Sequence, residues 1–277
     1  MIIKSEFTID INTSDFISGD IYRANNAPEL KPIILIIHGF KVHKQWGFFP
    51  YICDYFAQYG AIAICCNLSL NGYGTESDTL MYPHKFASNT ITRELSDIQK
   101  IMEFIQKKGE GTLEDWDGRI FILGHSRGGA LSILTARDFP IISKVAVWNS
   151  IARFDRFSAR QKALWREQGY ITAEHYKSPD SLCINSTYLD DLELHKDRFS
   201  IISALSNTHI SLLIIHGEQD ITVSKTDAEA LASASTHLFG LKIIPSTGHT
   251  FGIRHPFSSS TKALEQVLEI TRGFFLS

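Results

Sequence analysis

The segment Ile120-Phe121-Ile122-Leu123-Gly124-His125-Ser126-Arg127-Gly128-Gly129 decides the fold. Four consecutive apolar residues, rich in β-branched side chains, suit a strand buried on both faces. A glycine-rich turn follows, and residues 127–138 then read as a helix. A serine between two glycines at such a strand-to-helix turn takes strained backbone angles, and the glycines give neighbouring chain room to approach. The turn lifts the hydroxyl above the sheet edge. The helix N-terminus then aims free N–H groups and a partial positive charge at the same point.

Outward from this segment the same rhythm repeats. Ile33-Ile34-Leu35-Ile36-Ile37 and Ala61-Ile62-Ala63-Ile64-Cys65-Cys66 are further buried strands, with a helix over 47–59 between them. Residues 90–107 carry Ile91, Leu95, Ile98, Met102 and Ile105 on one helical stripe. Strands follow at 144–148, 211–216 and 241–244. Ser224-x-x-Asp227 opens a helix to about 235, and residues 260–275 form a last amphipathic helix with Leu264, Val267, Thr271 and Phe274 on one face. Ahead of all these, 5–10 and 16–23 flank Asn12-Thr13-Ser14-Asp15 as a hairpin. The alternation predicts an α/β fold, a mostly parallel twisted sheet with helices on both faces. The charged and aromatic stretch 151–206 breaks the rhythm and has weak strand signals. It reads as a small helical cap inserted in a core formed by 1–150 and 207–277.

Composition narrows the function classes. The chain has 277 residues, 44% apolar and 21% charged, an ordinary globular balance. Its 27 basic and 30 acidic residues give a net charge of −3. That balance predicts neither nucleic acid nor a membrane surface as partner, since phosphate neutralisation needs clustered Lys and Arg. No apolar run approaches the about 20 residues of a spanning helix. The N-terminus lacks a basic segment followed by an apolar one, so no secretory signal is expected. Cys53, Cys65, Cys66 and Cys183 form no C-x-x-C pair. They read as reduced thiols in a cytoplasmic protein, with no metal site.

Three residues fall at the carboxyl ends of predicted parallel strands, where open α/β sheets build their sites. Ser126 is the first. Asp220 lies 94 residues later, after strand 211–216, and His249 a further 29 on, after strand 241–244. A serine hydroxyl is a weak nucleophile at neutral pH, and a histidine can take its proton and later return it to a leaving group. An aspartate can fix the tautomer of that histidine and stabilise its charged form. Glu218 is the rival acid and His255 the rival base. Two backbone donors complete the expectation, the N–H of Arg127 beside the serine and the N–H of Phe40 in the loop His38-Gly39-Phe40. His38 and His125 are expected to be structural. No cofactor is required.

As a set, these motifs resemble the α/β-hydrolase superfamily, serine branch, over nearly the whole chain. They are His38-Gly39-Phe40, Asn71-Gly72-Tyr73-Gly74 with Ser77, Gly124 to Gly129, His216-Gly217-Glu218-Gln219-Asp220 and Gly248-His249. The order serine, aspartate, histidine is that of the superfamily. The two loop motifs are similar to those of cinnamoyl/feruloyl esterases and of serine-containing dienelactone-hydrolase-like proteins. Dehalogenases and epoxide hydrolases carry aspartate where Ser126 stands, and dienelactone hydrolases proper carry cysteine. The resemblance implies a serine esterase acting on a small-molecule ester through an acyl-enzyme. A thioesterase, peptidase or acyltransferase with the same three residues stays open, as does a non-catalytic ligand-binding homologue. Trp165, Tyr170 and Tyr176 of the cap are candidate substrate contacts, and Lys41, His43 and Lys44 read as a solvated basic turn.

Overall fold

A computed structural model describes residues 1–25, 29–75, 79–173 and 182–277. The first hairpin is as expected. β1 (Ile2–Asp10) pairs antiparallel with β2 (Phe16–Ala24), closed by a turn in which Asn12 Oδ1 accepts from the N–H groups of Ser14 and Asp15. The remaining strands of the main sheet are β3 (Lys31–Ile37), β4 (Ile62–Asn67), β5 (Trp116–His125), β6 (Ile142–Trp148), β9 (Ser211–Gly217) and β10 (Leu238–Ile244). Their order is β1-β2-β4-β3-β5-β6-β9-β10, and every pair from β4 to β10 is parallel. Every residue of β3 and β4 is buried, the burial that a continuous apolar run requires, whereas the edge strands β1 and β10 are partly exposed.

Helices cover both faces. α1 (Phe49–Gln58) and α9 (Lys262–Phe275) pack on one. α3 (Ile91–Gln106), α4 (Arg127–Asp138) and α8 (Lys225–Ala234) pack on the other, with the short α2 (Pro83–Ala87) beside them. All five stripe residues of α3 are buried, and so are Leu264, Val267, Thr271 and Phe274 of α9. Capping departs from expectation in one place. Ser224 accepts from Thr226 N–H, but Asp227 does not reach back to close a capping box. Its Oδ1 instead accepts from Ala152 N–H at 2.9 Å, tying α8 to the segment after β6.

The insertion between β6 and β9 is helical, with α5 (Ala159–Gln168), α6 (Thr187–Leu194) and α7 (Ile201–Ser206). It also contains a short antiparallel hairpin, β7 (Tyr170–Ala173) with β8 (Leu182–Asn185). Two four-residue strands in a charged context give too little alternation to be read from sequence. α7 packs on α4 and α8, α6 packs on α3, and β8 of the hairpin packs on α2, so the insertion seats against the helices of this face. The basic turn is a further difference. His43 and Lys44 are buried, and Lys44 Nζ donates to Asp20 Oδ1 at 2.5 Å. A carboxylate projecting from β2 into the interior draws the ammonium out of solvent. Among the described residues, no helix is long and apolar enough to cross a membrane.

Candidate active site

Ser126 stands between β5 and α4 with φ 57° and ψ −121°, a conformation that costs a residue with a side chain roughly 1–3 kcal/mol. The glycines flanking it are tightly packed against neighbouring chain. A Cβ on Gly128 would lie 2.2 Å from the carbonyl oxygen of Ile37, and one on Gly124 would lie 2.3 Å from that of Gly128. The glycines thus let the end of β3 press against the serine turn. Gly39 follows the same logic, since its ideal Cβ position is 3.1 Å from Ser126 Cβ. This approach brings Phe40 to the cavity that Ser126 and Arg127 line. Arg127 is the first residue of α4, so its N–H has no intrahelical acceptor.

His249 lines the same cavity, of about 550 Å³. Its Nδ1–H donates to Asp220 Oδ2 at 2.7 Å, which leaves Nε2 as an acceptor. The Asp220 side chain is fully buried, and its second oxygen accepts from the N–H groups of Thr222 and Val223 at 2.8 and 2.9 Å. Burial alone would raise its pKa. The hydrogen bond and charge of His249, with the two backbone donors, outweigh that and hold the carboxyl below its ordinary value. Glu218 is engaged elsewhere, its Oε2 accepting from Ser246 N–H at 3.1 Å. His255 accepts from Gly47 N–H at Nδ1 and stacks on Trp46. The carboxylate on His249 is therefore that of Asp220.

The histidine loop is fixed by residues that sequence reasoning did not assign to the site. Asn149 follows β6 in a left-handed conformation (φ 48°). Its Nδ2 donates to the carbonyl of His249 and its Oδ1 accepts from Gly217 N–H, both at 2.7 Å. It thus joins the acid loop to the base loop. The same carbonyl accepts from His125 Nε2 at 2.8 Å. Burial pushes His125 down to about 3, with the charge of His249 adding to the effect. His125 is therefore a neutral donor. A buried polar residue at the carboxyl end of an apolar strand was the signal available for Asn149. His38 donates from Nδ1 to the carbonyl of Gly39 at 2.8 Å, and burial pushes it down to about 4.

The insertion supplies Ile151, Phe154, Arg156, Phe157 and Tyr188 to the cavity wall. Trp165 does not line it. Trp165 is fully buried, donates its indole N–H to the carbonyl of Ile184 at 2.8 Å and stacks on Tyr188, so it packs the insertion. Tyr170 is 44% exposed at the start of β7 and also lies off the cavity. Tyr176 and Ser77 fall outside the described residues. Tyr188, unassigned from sequence, takes the place expected of these aromatics.

A family model described as serine aminopeptidase, S33 matches residues 28–165, a span that includes Ser126 and stops before Asp220 and His249. No curated protein matches the chain. Solved structures are similar over nearly its whole length at low identity. Est1E from Butyrivibrio proteoclasticus, with ferulic acid bound, superposes with a TM-score of 0.70 at 20% identity over 98% of each chain. Alpha/beta hydrolase domain-containing protein 10 from mouse gives 0.72 at 13% identity, over 99% of this chain and 100% of that one. Dienelactone hydrolase from Anabaena variabilis gives 0.59 at 14%, over 99% and 97%.

Proposed function

We propose that this chain, an α/β-hydrolase by fold, is a serine hydrolase that cleaves small carboxylic esters. The reading rests on one observation above the others. His249 donates to a buried Asp220 at 2.7 Å and lines the same cavity as a serine held at φ 57°. In this scheme Ser126 Oγ attacks the ester carbonyl while His249 Nε2 takes its proton. The N–H groups of Phe40 and Arg127 stabilise the oxyanion, and His249 returns the proton to the departing alcohol. Water, deprotonated by His249, then releases the acid from the acyl-enzyme. Asp220 keeps the imidazole in the required tautomer and stabilises its charged form. The insertion over 151–206 acts as the cap that roofs the acyl and alcohol groups. Four free thiols, three of them buried, support a cytoplasmic setting.

The test is hydrolysis of a p-nitrophenyl acyl series, acetate to long chain, by the wild type and by Ser126→Ala. The expected result is loss of kcat by several orders of magnitude in a variant that unfolds at the wild-type temperature. Near-wild-type turnover by Ser126→Ala overturns the reading. The matched family description favours a second substrate, an amide rather than an ester. Aminoacyl p-nitroanilides cleaved faster than the esters would select it.

A further inference from the structure

We propose that the ester carries a second, ionised carboxylate, bound by the side chains of Arg127 and Arg156. This specificity rests on the serine-hydrolase reading of the same cavity. The charged side chains lining that cavity are Lys41, Arg127 and Arg156, and among the described residues no Asp or Glu lines it. The chain as a whole is acidic, at −3, so the cationic lining is local. A neighbouring cavity of about 520 Å³, also walled by Phe154, mixes Arg153 and Lys196 with Asp155 and Glu193. The bias therefore belongs to the Ser126 cavity rather than to the insertion.

Arg127 is held ready for an anion. Its guanidinium lies 3.8 Å over the Phe40 ring and 5.3 Å from the centre of the Tyr188 ring. Nη2 donates to Tyr188 Oη at 3.1 Å, and Nη1 donates to Glu94 Oε1 at 3.3 Å. An arginine serving only to pin Glu94 would use its fork on both carboxylate oxygens. Here it makes one long contact. Glu94 Oε1 also accepts from Asn89, and its Oε2 is buried without a partner. A guanidinium has five N–H donors, so Arg127 retains several for a ligand. Arg156 enters from the insertion, anchored by Nη2 donation to the carbonyl of Thr222 at 3.1 Å, two residues from Asp220. Phe154, Phe157 and Ile151 provide apolar wall for a hydrocarbon link between the carboxylate and the scissile bond.

Matched esters that differ only in carboxylate against methyl test this. Ethyl hydrogen adipate against ethyl hexanoate places the charge on the acyl side. 4-Acetoxybutanoate against butyl acetate places it on the alcohol side. One charged ester should exceed its neutral partner by about 10- to 100-fold in kcat/KM, carried by KM, because hydrogen bonds to charged groups are worth that much. Arg127→Gln and Arg156→Gln should each reduce that ratio by about tenfold, and added salt should reduce it further. Arg119→Gln, at an exposed arginine paired with Asp117, should leave the ratio alone. Binding of the same esters to Ser126→Ala by calorimetry separates the two readings. Arginine-dependent binding of a charged ester without wild-type turnover keeps the anion site and sinks the hydrolase. Equal affinity for charged and neutral esters, or a preference unchanged in both arginine variants, overturns the proposal.

Discussion

Replacing Asn149 with alanine should loosen the site without touching any group that meets substrate. The side chain is fully buried and makes two hydrogen bonds of 2.7 Å, to the His249 carbonyl and from Gly217 N–H. His249 O keeps His125 as a donor, but the Gly217 N–H is left buried without its acceptor, at a cost of about 1–3 kcal/mol. Alanine at φ 48° adds roughly 1 kcal/mol of backbone strain that asparagine tolerates better. The sum is about 2–4 kcal/mol. In a chain of this size that lowers Tm by roughly 5–10 °C. Asn149→Gly removes the same hydrogen bonds but not the conformational freedom, so it should be milder by about 1 kcal/mol. Both variants release the loop that carries the imidazole. A displacement approaching 1 Å costs up to about 10²-fold in rate, so kcat/KM on a p-nitrophenyl ester should fall by about 10- to 100-fold in both. Thermal unfolding and steady-state kinetics on the three proteins give the answer. An alanine variant with Tm within 2 °C (roughly the measuring limit for a 0.5 kcal/mol effect) and unchanged kcat/KM would refute the bridging role.

Three other outcomes follow from particular contacts. Gly128→Ala sets a methyl 2.2 Å from Ile37 O and 2.5 Å from His38 O, so the loop bearing Phe40 N–H must retreat; kcat should drop by about 10²-fold, read beside an unfolding curve that shows the variant is folded. Lys44→Met takes the buried cation from Asp20 and leaves its carboxylate with the partly exposed Lys4 at 3.3 Å, so it should cost about 2–4 kcal/mol in urea unfolding, part of which Asp20→Asn restores. Acidification should destabilise the protein from about pH 6.5 downward. His38 and His125 are depressed to about 4 and about 3, so the unfolded chain binds protons that the folded chain does not. Their contribution is complete above about pH 6.5 and falls by about 1.4 kcal/mol per pH unit for each histidine until the folded value is reached. The depressed His216 adds to this slope and Asp97, raised to about 6 by burial, opposes it; denaturant titrations at pH 7.0 and 5.5 check the net slope, and His38→Gln should reduce it by the share of one histidine.

What the sequence determined by itself was local periodicity and chain order. Continuous apolar runs mark β3, β4 and β5 because a parallel strand covered on both faces has no polar side. The stripes of α3 and α9 are legible because a helix buries one face. Gly124 and Gly128 mark the serine turn around Ser126, since the close chain crossing there admits no Cβ at either glycine. The positions of Asp220 and His249 follow from strands that end just before them.

Only the tertiary structure decided between Glu218 and Asp220, because the choice depends on which carboxylate the turn after β9 aims at a loop 29 residues away. It alone placed Asn149 across Gly217 and His249, and Tyr188 rather than Trp165 at the cavity. It also divided the turn after β3, sending Lys44 inward to Asp20 while Lys41 lines the cavity. These are pairings between residues far apart in the chain. Sheet order and the seating of the insertion set them, and no local pattern of polarity encodes either.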